Sequence, residues 1–309
     1  MVPFRGVLLL LTAPFVLVLG QTKILVTNDD GWATAMVRAQ NEALKQGGYD
    51  VVLSCPAVDK SGTGSSTTTP SVLTTPCEFD TCPVGSPAVG SNATDPRLNY
   101  VNGFPVDAAR IGIQTLAPPF FGGSPPDLVV SGPNIGSNTG STVLISGTVG
   151  AASEAAKEGV PSLAFSAPSS SIGHDSYTTL ESSPTSSKTM AAHIYANLTT
   201  TFVNAILADG TSTSILPANI SVNINYPGAA DCPSVDDFSF IFTRINADSA
   251  ATDVDTCGST HLPTEASVVG MDGCFVSVSA FNATTKGDVD AMTQGIVLGK
   301  LNNLISCLP

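Results

Sequence analysis

Residues 23–31 read Lys-Ile-Leu-Val-Thr-Asn-Asp-Asp-Gly. The apolar run Ile24 to Val26 has the length and β-branched richness of a buried strand. It stops at Thr27 and Asn28, and two adjacent carboxylates, Asp29 and Asp30, follow before Gly31 turns the chain. In an open α/β sheet, ligands sit just beyond the carboxyl ends of the strands. Taken alone, Asn-Asp-Asp-Gly is also an ordinary polar turn. At a strand end, two acids are hard oxygen ligands suited to one divalent ion, Mg²⁺ or Mn²⁺, with Ca²⁺ as a third candidate.

Outward from this stretch, strand and helix patterns alternate. Strands are expected at 23–28, 51–55, 127–131 and 161–166, with helices at 35–46, 106–117 and 147–158 between them. That order predicts an α/β fold: a three-layer Rossmann-like sheet, mostly parallel, with helices on both faces. Residues 59–100 are rich in Ser, Thr and Pro and read as a surface excursion with one short strand near 71–74. After a Ser-rich loop at 167–184, a helix is expected over about 185–206, hairpin-like strands over 219–281, and a closing helix over about 286–305. The expected organisation is one domain over 21–309. Its core covers about 22–206, and a strand-rich extension with the final helix covers about 207–305.

A second polar constellation follows the pattern Asp127 to Ser131. The loop Gly132-Pro133-Asn134-Ile135-Gly136-Ser137-Asn138-Thr139-Gly140 is rich in glycine, which admits close approach, and in Asn, which offers a neutral oxygen or an NH₂ donor. Then Ile145-Ser146-Gly147-Thr148 leads into an Ala-rich helix former. Ser146 or Thr148 is suited to cap that helix, whose free N–H groups and dipole favour an anion such as phosphate.

Together these segments resemble the SurE family of metal-dependent phosphatases and nucleotidases. The likeness runs in order through 24–31, CPAVDKSGTGSS at 55–66, VNGFPVDAARIGI at 101–113, 127–138, 145–166, SVNINYP at 221–227 and CFVSVSAF at 274–281. The resemblance implies metal ligands at Asp29, Asp30, Ser61 and Asn134. It implies phosphate contacts at Ser146, Gly147 and Thr148, with Asn138 beside them, and catalytic roles for Asp29, Asp30, Asn134, Ser146 and Thr148. By the same analogy the substrate is a small phosphomonoester and the protein a homodimer or homotetramer. The chain departs from the family pattern at Trp32-Ala33-Thr34-Ala35, where Ala-Pro-Gly is usual, and at Pro133, Ile145 and Ala155. None of these removes an implied ligand.

The N-terminus carries a different signal. Arg5 precedes an apolar stretch from Val7 to Leu19, with small Gly20 before Gln21, the pattern of a secretory signal peptide over 1–20. Four Asn-x-Ser/Thr acceptors, at Asn92, Asn197, Asn219 and Asn282, and seven cysteines agree with an extracellular glycoprotein. Cys77 and Cys82 suit a local disulfide. Cys232, Cys257, Cys274 and Cys307 suit two more of open connectivity, and Cys55, ending a strand pattern, reads as a core thiol. No later apolar run suits a membrane span or anchor.

The net charge of −13 disfavours nucleic-acid polymers and anionic membranes as partners. Gly-x-Ser-x-Gly and Gly-x-x-x-x-Gly-Lys-Ser/Thr are both absent, which argues against a serine hydrolase and a P-loop NTPase. The three histidines, His174, His193 and His261, lie outside the motifs. Metal-assisted phosphomonoester hydrolysis, of nucleoside monophosphates or other small esters, is the expected activity. Its rival is a secreted protein that binds a metal and a phosphorylated ligand on the same scaffold without turnover.

Overall fold

A computed structural model describes residues 21–208, 214–230 and 232–309. The signal-peptide pattern lies outside them. In chain order the elements are β1 (Lys23–Thr27), α1 (Ala35–Gln46), β2 (Asp50–Pro56), β3 (Val89–Ser91), β4 (Leu98–Val101), α2 (Pro105–Ile111), β5 (Leu128–Ile135), α3 (Gly147–Lys157) and β6 (Ser162–Ala167). They continue with α4 (Thr179–Ser182), α5 (Ser187–Leu207), β7 (Ile220–Asn225), β8 (Ser239–Thr243), α6 (Glu265–Val269), β9 (Phe275–Asn282), α7 (Ala291–Lys300) and β10 (Ile305–Ser306).

All ten strands join one sheet in the order β10-β8-β9-β7-β6-β5-β1-β2-β4-β3. From β4 to β7 every neighbouring pair is parallel. β1 lies between β2 and β5, so the chain winds outward in both directions from its two edges. That switch point opens a crevice at the carboxyl ends of β1 and β5.

The alternation of β1 explains the layering. Ile24 and Val26 point into one apolar layer with Met36, Leu44, Leu163, Phe165 and Phe202, beneath α1 and α5. Leu25 points into the opposite layer with Val52, Ile113, Val129 and Ala155, beneath α2 and α3. Each of these β1 side chains is fully buried, contributing about 1.5–3 kcal/mol apiece. A strand covered on both faces needs an unbroken apolar run, which is what 24–26 supplies.

Three expectations are corrected. Residues 71–74 form no strand. Leu73 makes only two backbone hydrogen bonds across to Gly85 and Ser86, because Pro70 and Pro76 bracket the run and lack donors for a ladder. The added strands are β3 and β4, and buried Leu98, Tyr100 and Val101 seat β4 beside β2. The strands in 219–281 are not hairpins: β9 pairs antiparallel with β7 and parallel with β8. The last helix is shorter than 286–305, since Asp290 caps α7 by accepting from Thr293 N at 2.8 Å and Lys286 has a φ of 54°.

Disulfides join Cys77–Cys82, Cys232–Cys274 and Cys257–Cys307, while Cys55 is free and buried. The latter two close loops of 42 and 50 residues, worth roughly 4 kcal/mol each by restriction of the unfolded chain.

Candidate active site

Asp29 and Asp30 emerge from β1 directly into the switch-point crevice, and both are buried. Gly31 turns the chain at a φ of +105°, a conformation natural to glycine. Asp29 is held by α3: Thr148 Oγ1 donates to Asp29 Oδ1 at 2.5 Å. The approach is close enough that a Cβ on Gly147 would sit 2.8 Å from Asp29 Cβ, so residue 147 must be glycine. Asp30 is held by the loop after β5, where Ile135 N donates to Asp30 Oδ2 at 3.0 Å.

Burial pushes both acids up. Asp29 rises to about 6, against the pull of the Thr148 hydrogen bond, and Asp30 stands well above the usual carboxylate range through burial and the neighbouring Asp29 charge. Several oxygens here are also left unsatisfied. Asp30 Oδ1, Asn134 Oδ1, Asn28 Oδ1 and Thr27 Oγ1 are buried without a hydrogen-bond partner. Asn134 spends its amide donor on Gly136 O at 2.6 Å, and Asn28 spends its own on Gly31 O at 2.9 Å. In each, the donor is committed and the oxygen remains. Buried polar atoms ordinarily find partners, and the carboxylate and amide oxygens of Asp30, Asn134 and Asn28, which can only accept, fit a hard divalent cation.

The expected phosphate group is distributed unevenly. Ser146 is the N-cap of α3, accepting from Val149 N at 3.0 Å. The N–H groups of Gly147 and Thr148 begin the helix, so no intrahelical carbonyl serves them. Thr148 directs its hydroxyl to Asp29, making it a support for the acid pair. Asn138 is locked into a buried amide network: its N donates to Asn225 Oδ1 at 2.8 Å, its Nδ2 to Ser166 Oγ at 2.8 Å, and its carbonyl accepts from Asn223 Nδ2 at 2.8 Å. Glu265 anchors that network through Asn223 at 2.8 Å. Asn138 therefore shapes the loop.

Ser61 lies exposed in the loop after β2, and both its N and Oγ donate to Asp59 Oδ1, at 2.8 and 2.7 Å. That loop is tied to the acid turn by Lys60 N donating to Asp29 O at 2.8 Å. Asp59 was invisible as a site residue in the sequence, and so was His174, whose Nε2 lies 3.6 Å from Asp30 Oδ1. Both belong to loops after parallel strands, β2 and β6, and only the strand order brings them to Asp30. The roomiest cavity among those described, about 640 Å³, opens instead between the loop after β6, the start of α5 and the loop after β7. No carboxylate lines it.

The geometry defines a doubly wound α/β protein with a buried acid pair at its switch point and the start of a helix beside it. Comparison with known proteins gives that class a family: the chain belongs to the survival protein SurE family, whose profile matches residues 24–252. An acid phosphatase of Yarrowia lipolytica is 34% identical over 288 residues, covering 84% of this chain and 78% of that protein. A 5'-nucleotidase SurE of Lawsonia intracellularis is 33% identical over 204 residues, covering 66% of this chain and 65% of that protein. The crystal structure of the SurE protein from Aquifex aeolicus shares the fold, with a TM-score of 0.56, 24% identity, and coverage of 84% of this chain and 93% of that one.

Proposed function

We propose that this protein is a secreted phosphoric monoester hydrolase that uses one divalent cation, Mg²⁺ or Mn²⁺, at Asp29, Asp30 and Asn134, with Ser61 from the neighbouring loop. The observation that carries the reading is the buried acid pair with unsatisfied oxygens beside the start of α3. The acid phosphatase and 5'-nucleotidase relatives support hydrolysis of phosphomonoesters as the reaction class. Nucleoside monophosphates and similar small esters are the proposed substrates. The three disulfides suit an oxidising, extracellular setting. No helix among the described residues is long and apolar enough to cross a membrane.

When bound, the cation supplies Lewis-acid polarisation of a phosphoryl oxygen and a lowered pKa for water. The chain's own residues do the rest. Thr148 and the Ile135 N–H fix the two carboxylates in place. Gly147 and Thr148 N–H groups and the Ser146 hydroxyl face the equatorial oxygens, whose charge they stabilise as the P–O bond breaks. Asp29, at a pKa of about 6 before cation binding, releases its proton readily when the ion enters.

The test is a kcat/KM panel of nucleoside 5'-monophosphates, nucleoside 3'-monophosphates and p-nitrophenyl phosphate, with bis-p-nitrophenyl phosphate as the diester control. Turnover of monoesters that stops with chelator is expected. Preference for the diester, or turnover indifferent to chelator, contradicts the reading.

A further inference from the structure

The acid pair has further ligand groups around it. Asp59 joins Asp30, and a carboxylate oxygen from each lies with an imidazole nitrogen of His174 in a group whose ligand atoms are all within 4.8 Å of one another. A fourth carboxylate arrives on the Cys77–Cys82 disulfide loop. Glu78 Oε2 stands 2.2 Å from where a Cβ on Gly31 would be, and it is buried without a hydrogen-bond partner.

The two oxygens of Asp30 divide the site. Oδ2 accepts from Ile135 N, on the side of Asn134. Oδ1, on a side chain with 0% exposure, has no hydrogen-bond partner and faces His174 Nε2 at 3.6 Å. That is the arrangement of a bridging carboxylate with ligand groups on either side. Paired cations in phosphate-processing sites stand about 3.5–4 Å apart, a spacing one carboxylate spans.

We infer that the site holds a second divalent cation, bound by Asp59 and His174 and bridged to the first by Asp30. This rests on the metal-dependent reading above and extends it. One imidazole among carboxylates favours Mn²⁺ or Zn²⁺ over Mg²⁺ at the second position, whereas the all-oxygen first position accepts Mg²⁺.

The test is Mn²⁺ binding to the full mature chain, by equilibrium dialysis for stoichiometry and electron paramagnetic resonance for coupling between ions. Two Mn²⁺ per chain with an exchange-coupled spectrum are expected. His174→Ala and Asp59→Asn, both at exposed positions, should each retain one Mn²⁺ with an uncoupled six-line spectrum. Circular dichroism checks that both variants are folded. A single uncoupled Mn²⁺ in the parent overturns the inference and leaves the one-cation reading standing. Two ions held equally by parent, His174→Ala and Asp59→Asn also overturn it. A parent that binds no Mn²⁺ overturns both readings.

Discussion

Replacing Asp29 with Asn removes a charge that burial disfavours. In the metal-free protein Asp29 is raised from 3.8 to about 6, burial being the main cause. Below pH 3.8 the group is protonated in both folded and unfolded chains and adds no pH-dependent term. As pH rises to about 6 the unfolded chain loses its proton first, so folding stability falls, and above that the deficit is constant. At about 1.4 kcal/mol per pH unit, the span from 3.8 to about 6 corresponds to a loss on the order of 3 kcal/mol. Asn carries no charge yet keeps an oxygen to accept from Thr148. In EDTA at pH 7.5, Asp29→Asn should therefore be more stable than the parent by on the order of 3 kcal/mol, and at pH 4 the two should converge. Saturating Mn²⁺ should reverse the order. Ligand at a thousandfold over Kd stabilises by about 4.1 kcal/mol, more than that deficit, and Asn binds the ion weakly. Urea unfolding followed by circular dichroism, with disulfides intact, measures each value. A metal-free parent at least as stable as Asp29→Asn at pH 7.5 would refute the view of this turn as a preformed cation site.

Other outcomes follow from the same geometry. Thr148→Val deletes a buried hydrogen bond to a carboxylate, worth about 1.5–3 kcal/mol, so Mn²⁺ affinity should fall roughly tenfold in calorimetry with the fold retained; parental affinity and kcat/KM would sink its role. Glu265 is pushed up to about 8 by burial, so Glu265→Gln should gain stability over the parent as pH rises from 5 to 8 in thermal melts, and a gap independent of pH would contradict this. Cys55 is fully buried and the other six cysteines are paired. Thiol titration without reductant should therefore find none in native protein and one after denaturation, and three or more would break the disulfide assignment.

The sheet core was legible because burial on both faces demands apolar runs, and Ile24 to Val26 and Leu128 to Val130 supply them. The Asp29-Asp30 turn was legible because a polar break after such a run marks a strand end. Asp59, His174 and Glu78 were not. Each sits in a polar loop whose local sequence resembles any surface segment, and only the order β6-β5-β1-β2 together with the Cys77–Cys82 closure delivers them to Asp30. Thr148 was legible as a helix-start residue, but its hydroxyl direction was not, since that depends on how closely Gly147 lets α3 approach β1. The misplaced strand at 71–74 shows local propensity yielding to missing donors at Pro70 and Pro76.

The most direct measurement is phosphate release from p-nitrophenyl phosphate by the purified protein, stripped with EDTA and then titrated with Mn²⁺, in parallel with Asp30→Asn. The parent should lose activity on stripping and recover it as Mn²⁺ is restored. Asp30→Asn, equally folded, should stay at least a hundredfold below the parent at every Mn²⁺ concentration, a gap of roughly 2.7 kcal/mol in transition-state stabilisation. Parental turnover by Asp30→Asn, or full activity of the stripped parent, would contradict the account at its centre.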